Sequence, residues 1–464
     1  MESFARGYPY GPAGFVDLER ETVPLERLLS LAPSRLRSWP RVFTPSVCEQ
    51  VDALAVQRFV VLGELALDGA VRHTRGVLAM TIAARGAGFE AVVVPRGNAA
   101  EAALVEGLDV YAIDVLHDAV AIAQGHGTKF RFVRDVRPDD AVTAVGADFA
   151  DVRGQHGAKR ALEIAAAGGH NVLLVGPPGC GKTMLARRLP SILPAMAPSE
   201  ALEVTKIQSI AGLLGEGGGI ARVRPFRAPH HTISQIALCG GGALPRPGEI
   251  SLAQHGVLFL DELPEFARAA LEVLRQPLEE GTISVARASM TVTYPARFAL
   301  VAAMNPCPCG YRGVRSADCR CDEATVARYV GKLSGPLLDR IDLHVGVARA
   351  SFDEIAGDAP IESSATVRSR VEAARSIQAV RYHELPYHAN AKIPPGAVRA
   401  VCSLDREATS LARAASKNAR LSARALDRIT RVARTIADLA GAASIASEHF
   451  AEALGYRTLE GTTA

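Results

Sequence analysis

Lysine is scarce in this chain. Of its 52 basic side chains only seven are lysine, and the rest are arginine. None stands before Lys129, so the first 128 residues hold no amine to activate a nucleophile. Long apolar runs are missing too. No uninterrupted run approaches the roughly 20 residues of a membrane span, so no membrane association is expected. The N-terminus carries Glu2 and Arg6 without an apolar core, so no export is expected either. Net charge is only +3, too small for the total alone to argue for a nucleic-acid partner. Cysteine is sparse, eight in 464 residues, which does not describe a secreted disulfide scaffold. Four of the eight lie close together in sequence, which favours a metal site in a reducing cytoplasm. The remainder, 48% apolar and 22% charged, describes a soluble globular chain with length for roughly three domains.

What is present centres on Gly176-Pro177-Pro178-Gly179-Cys180-Gly181-Lys182-Thr183. These residues match the phosphate-loop pattern G-x-x-x-x-G-K-[ST] at every fixed position. Asn171 to Val175 is a short apolar run that reads as a buried strand, and Met184 to Leu189 continues as a helix that Pro190 is expected to end. Between strand and helix, the loop's amides and the helix N-terminus suit phosphate oxygens. Lys182 is expected to reach the β- and γ-phosphates of ATP, and Thr183 to ligate Mg²⁺. Cys180, inside the loop, is expected to make the site sensitive to oxidants.

A second nucleotide element lies downstream. Val257 to Leu260 is an apolar strand ending in Asp261 and Glu262, a Walker B pattern. Asp261 is expected to hold Mg²⁺ and Glu262 to polarise the attacking water. Ala299 to Met304 is another apolar strand, and Asn305 at its end is placed to orient that water as a sensor. Thr282 to Val285 and Met290 to Thr293 alternate as a hairpin, whose tip at 286–289 exposes Arg287. That arginine is read either as a contact to a nucleic-acid backbone or as an ordinary solvated side chain.

The flanks are less regular. Residues 1–57, with the single tryptophan Trp39, read as a poorly defined leader. Residues 58–126 alternate as an α/β unit, with strands at 59–63, 91–95 and 110–113 and helices at 76–84, 98–105 and 116–124. Gly63-Glu64-Leu65-Ala66-Leu67-Asp68-Gly69 and Val94-Pro95-Arg96-Gly97-Asn98 resemble part of a Lon-protease-type domain. The Ser-Lys pair of such proteases is excluded by the missing lysine, so a scaffold or binding role is expected, and a protease-associated unfoldase is disfavoured. Residues 127–152 read as a charged linker, and Gln155 to Ala167 as the helix leading into the phosphate-loop strand.

The order of these elements resembles AAA+ ATPases. Arg224-Pro225-Phe226-Arg227-Ala228-Pro229-His230-His231, Gly335 to Asp342 and Ala433 to Leu439 resemble the magnesium-chelatase D/I family, in its ComM (YifB-like) subfamily. The resemblance covers about residues 58–457. It implies an α/β AAA+ core over 153–350, a C-terminal helical lid over 351–464 and a partial Lon-like domain at the N-terminus. It also implies a homo-oligomeric ring, a hexamer, that hydrolyses ATP and acts on DNA by branch migration or unwinding. The alternative is a chelatase-type motor subunit that remodels a protein partner.

By position, Arg340 matches the family's arginine finger and Arg424 its second sensor. The other reading of Arg340 is a salt bridge with Asp339 or Asp342. Arg420, Arg424, Arg428 and Arg431 share one helical face, read as meeting nucleotide, a neighbour or DNA, or as a solvated basic face. Residues 397–436 carry nine basic and three acidic side chains, so the lid is locally basic. His230 and His231 are read as part of an insertion near a ring pore, with Arg224 and Arg227 as phosphate contacts, or as a packing loop. Cys307, Cys309, Cys319 and Cys321 form C-x-C-x₉-C-x-C, which reads as a zinc site or as four reduced thiols.

Overall fold

Continuous apolar runs such as Val172-Leu173-Leu174-Val175 and Val257-Leu258-Phe259-Leu260 have no polar face to show to water. Short, rich in Val and Leu and bounded by turn residues, they suit strands covered on both sides, which is the environment of a parallel sheet. The computed structural model has them in one. It describes residues 58–133, 147–214, 219–242, 246–286, 291–314, 319–357, 361–418 and 421–457.

Near the N-terminus, β1 (Phe59–Val61), β2 (Ala91–Pro95) and β3 (Asp109–Ile113) pair in parallel in that order. Helix α1 (Val77–Gly86) joins the first two, and Val92 and Val94 are fully buried beneath it, while Val93 is buried on the opposite face. The helix expected at 98–105 is only Ala99–Ala102. Helix α2 (Leu116–Ala121) stops short of 124 and passes into a wider turn at Ile122–His126. There Gly125 takes φ 90°, which no α-helix continues. This unit docks on the rest through buried Glu101, which accepts from the Leu78 amide at 2.7 Å, from Asn98 Nδ2 at 3.1 Å and from the Ser209 hydroxyl.

The central sheet is built from β4 (Val172–Val175), β5 (Phe226–Arg227), β6 (Val257–Leu260), β9 (Ala299–Met304) and β10 (Leu343–Gly346). The spatial order is β10-β4-β9-β6-β5, all parallel. Between β6 and β9 runs the antiparallel hairpin β7 (Thr282–Ala286) and β8 (Thr291–Pro295), with Val285 opposite Val292. Ala286 belongs to β7, and the rest of the expected tip, Arg287 included, lies outside the described residues.

Helix α3 (His156–Gly168) precedes β4 and α4 (Lys182–Ile192) follows it. Pro190 does not end α4. The helix runs through it to Ile192 because only the last turn loses a donor there. Helix α5 (Pro198–Ala211) carries Ser209, and α6 (Arg275–Glu280) precedes the hairpin.

The lid consists of α7 (Ser364–Arg381), α8 (Arg406–Asn418), α9 (Ala423–Leu439) and α10 (Ser447–Gly455). Its apolar faces do not form a separate core. Ile429, Val432, Ile436 and Phe450 join Leu162, Leu185, Val172 and Leu343 in one cluster. Polar bonds close the same seam. Gln378 Nε2 donates to the Ala167 carbonyl at 2.9 Å, and His170 Nε2 lies 2.8 Å from the Thr435 hydroxyl. Arg434, 1% exposed, pairs with buried Asp438, which also takes both Nη atoms of Arg381. The stretch read as a linker is in part built into this body. Asp148 caps a short turn at Phe149–Asp151, and Phe149 is 1% exposed in the shared core.

Candidate functional site

The register of the sheet assembles the site. Val175 lies opposite Met304, and Leu260 opposite Ala302, so β4, β9 and β6 end along one edge. The loops that follow them therefore share that edge, where open parallel sheets bind their ligands. They carry the phosphate loop, Asn305 and the pair Asp261-Glu262.

Lys182 begins α4 and turns its amine back onto the loop. Nζ donates to the carbonyls of Gly176 at 2.7 Å and Pro177 at 2.9 Å, and to Asn305 Oδ1 at 3.1 Å. Gly176 has no room for a side chain, since a Cβ there would meet the Val347 carbonyl at 2.1 Å. The Thr183 hydroxyl donates to Asp261 Oδ2 at 2.7 Å, so two hard oxygen ligands converge, the donor set that Mg²⁺ takes. Asp261 Oδ1 accepts from the Glu262 amide at 2.9 Å. Glu262 itself has φ 52°, a left-handed conformation uncommon for a side chain of its size. Its carboxylate is half-exposed and lies 3.2 Å from His231 Nδ1. Together Pro178, Gly179, Cys180, Gly181, Lys182, Thr183, Asp261, Glu262 and Asn305 line a cavity of about 410 Å³.

Other expected residues stand elsewhere. Arg340 follows the β9 strand in sequence, yet its carbonyl accepts from Asn171 Nδ2 at 2.8 Å. Asn171 precedes β4 and Gly176 follows it, a separation of about 16 Å along the strand. Arg340 therefore sits at the opposite end of the sheet from its own phosphate loop. Its guanidinium pairs with Glu279 and with the Pro336 carbonyl, not with Asp339 or Asp342, and its Nε is buried without a partner. Arg424 is exposed in the first turn of α9. Arg428 and Arg431, read as sharing a face with it, are turned inward. Arg428 pairs with Asp339 at 3.5 Å, and Arg431 is half-buried. The helix rotates these residues towards the sheet because Ile429, Val432 and Ala433 must be buried beside them. Arg420 lies outside the described residues.

Arg224 and Arg227 are both paired within the chain. Arg224 donates to the carbonyls of Pro194 and His255, each at 2.7 Å, and pairs with Glu200 at 2.9 Å. Arg227 forks onto Glu249 with two bonds of 2.6 Å. His230 and His231 sit on a loop, not a regular element, with ring centroids 4.1 Å apart, and only His231 touches the site. Cys180 is buried, its sulfur 3.9 Å from Lys182 Nζ.

Three contributors were not legible. His231 sits on Glu262 across 31 residues of sequence. Gln155, at φ 56°, donates from Nε2 to the carbonyls of Ala348 at 2.5 Å and Cys180 at 3.3 Å, tying the phosphate loop to the segment just past β10. Beside it, Val152, Arg153, His156, Asp353, Ile361 and others line a cavity of about 550 Å³ between core and lid. Only the histidine pair gave a signal in sequence.

The four clustered cysteines converge after β9, with all sulfur atoms within 4.8 Å of one another. Amides of Tyr311 and Arg320 hold the Cys309 thiol down at about 6, while burial and the neighbouring thiols push Cys321 up to about 11, so the first thiolate of the cluster forms on Cys309.

The chain matches three models of known families. Residues 148–355 match "Magnesium chelatase, subunit ChlI", 361–457 match its C-terminal part, and 42–98 match "Subunit ChlI of Mg-chelatase". The last match begins inside the segment read as a leader. An uncharacterized protein of Mycobacterium tuberculosis is 44% identical over 445 residues, 94% of this chain and 87% of that protein. Competence protein ComM of Haemophilus influenzae is 44% identical over 89% of this chain and 80% of its own length. YifB of Escherichia coli is 43% identical over 89% and 79%. Among the described residues, no helix is long and apolar enough to cross a membrane.

Proposed function

The chain belongs to the magnesium-chelatase family of AAA+ ATPases, beside its ComM- and YifB-like members, and from that premise we propose a ring-forming, hexameric ATP hydrolase that moves DNA branches in the cytoplasm. The observation that carries the reading is the convergence of Lys182, Thr183, Asp261, Glu262 and Asn305 on one cavity. The triphosphate occupies that cavity, and its base lies in the larger one between core and lid. Lys182 exchanges the loop carbonyls for the β- and γ-phosphate oxygens. Thr183 and Asp261 hold Mg²⁺, which neutralises charge developing on those phosphates when bound. Asn305 orients the attacking water. Glu262 takes its proton once the carboxylate leaves His231. Arg340 completes the site from the neighbouring subunit, because its own phosphate loop is at the far end of β4. Arg424 reaches the nucleotide from the lid.

The DNA substrate is supported by a close relative named for competence and by exposed basic side chains on the lid, Arg399, Arg406, Arg413 and Lys417. ATP turnover measured with single-stranded, duplex and four-way branched DNA tests it. Branched DNA is expected to stimulate most. Turnover indifferent to every DNA would instead favour the chelatase-type motor that remodels a protein partner, the reading closest to the family's name.

A further inference from the structure

Four thiols stand together where the proposed mechanism has no use for them. The Sγ atoms of Cys307 and Cys309 are 3.3 Å apart, those of Cys307 and Cys319 3.7 Å, and those of Cys309 and Cys319 3.6 Å. These gaps are far beyond the roughly 2.05 Å of a disulfide. They approach the edge of a tetrahedron of thiolates around one ion: at a zinc–sulfur distance of about 2.3 Å that edge is about 3.8 Å. The thiolates of an iron–sulfur cluster stand further apart than this. Cys307 is fully buried, whereas Cys309, Cys319 and Cys321 are partly exposed, which leaves an entry path from solvent.

The cluster also has a definite address. Cys307 is two residues beyond Asn305, whose side chain holds Lys182. Gly310 lies between the first and second pairs of ligands and closes a turn on the Cys307 carbonyl at 2.9 Å. Gly310 has no Cβ to spare: one added there would meet Pro178 Cδ at 2.6 Å. The cysteine loop is therefore seated against the phosphate loop itself. Arg349 bridges the same place, with its guanidinium 5.9 Å over the Tyr311 ring and Nη2 donating to the Pro178 carbonyl at 3.4 Å.

We propose that Cys307, Cys309, Cys319 and Cys321 bind one zinc ion per chain, and that this ion braces the turn from Asn305 to Gly310 against the phosphate loop. The site takes a soft divalent metal in a closed, four-sulfur shell, so its role is structural. Its effect on nucleotide rests on the functional reading above, but its existence does not.

Metal content of the full chain purified without chelators, and its titration with Zn²⁺ and Co²⁺, tests the site directly. One equivalent of zinc is expected, and Co²⁺ should give the intense thiolate charge-transfer bands of a tetrahedral sulfur site. Cys307→Ser and Cys319→Ser should lose the metal, while Cys239→Ser and Cys402→Ser keep it. If the serine variants fail to fold, reversible extraction of zinc from the unaltered protein with a chromogenic chelator takes their place. Metal-free protein should bind ATP about tenfold more weakly and recover on adding zinc. Four titratable thiols with no metal taken up from equimolar zinc, or iron with acid-labile sulfide, would overturn the site. Stoichiometric zinc whose removal leaves ATP affinity unchanged would overturn the brace. Zinc-loaded protein that binds no ATP would count against the functional reading and not against the metal.

Discussion

The two ends of β4 carry opposite kinds of polar chemistry. At its C-terminal end Lys182, Thr183, Asp261, Glu262 and Asn305 hydrogen-bond one another around a cavity, within reach of a ligand. At its N-terminal end stand Asn171, Arg340, Asp342, His344 and Arg428, with Arg340 held on Glu279 and Arg428 on Asp339. There Arg340 Nε and both ring nitrogens of His344 are buried without partners. The first end keeps its charges available and can exchange partners at little cost. The second end commits its charges to position. One edge is built to do chemistry and the other to hold a part of the chain at a fixed attitude, and a single strand of four residues rigidly spaces them.

The largest break in that comparison comes from the far end acting as if it belonged to the near one. Arg340→Ala should bind ATP almost normally yet lose about 10³–10⁵ in turnover. Mixing it with Lys182→Ala should restore activity, since some mixed interfaces pair an intact loop with an intact finger. ATPase activity across mixing ratios checks this. If no ratio exceeds the two mutants alone, although mixed rings are shown to form, Arg340 does not act across the interface.

At the near end, Glu262→Gln should keep ATP binding and lose about 10²–10⁴ in turnover, trapping assembled rings. Lys182→Ala should lose binding as well. Nucleotide affinity and turnover measured side by side separate the two, and normal hydrolysis by Glu262→Gln would refute its assignment.

The smallest effect concerns stability alone. Burial, with help from Arg457, pushes His344 down to about 4, against an unfolded value near 6.5. Asp342 opposes that shift and Arg428 adds to it. The unfolded chain therefore binds a proton that the folded one refuses between those values. Stability due to this group is complete above about 6.5 and declines as pH falls towards 4. The loss is on the order of 3 kcal/mol. Urea unfolding at pH 7 and 4.5 should show wild type losing about that much more than His344→Leu, which cannot titrate. Equal losses would remove His344 from the account.

How much of this could be read in advance followed the range of each interaction. The phosphate loop, the Asp261-Glu262 pair and the strand of Asn305 were legible because each is written in consecutive residues, and apolar runs of four to six force a buried parallel sheet. The four cysteines were legible as a cluster for the same reason. Contacts across long stretches of sequence were not. Nothing near Arg340 names Glu279, 61 residues away. Nothing in Arg224 or Arg227 announces Glu200 or Glu249, with which they pair. The face of α9 was misread because charge spacing alone ignores what lies between the charges. Ile429 and Val432 decide the rotation of that helix, and Arg428 and Arg431 go where the apolar residues take them.

The seam between lid and core has a mechanical meaning. Elements that share one close-packed interior, stitched by Gln378 on Ala167 and His170 on Thr435, do not slide or flap independently. A subunit of this kind is a cog cast in one piece. On the proposed reading, a movement that starts at one edge of the sheet is carried by this shared interior to the helices of the lid. If such chains assemble as proposed, the play lies between them, at the boundaries where one chain meets the next.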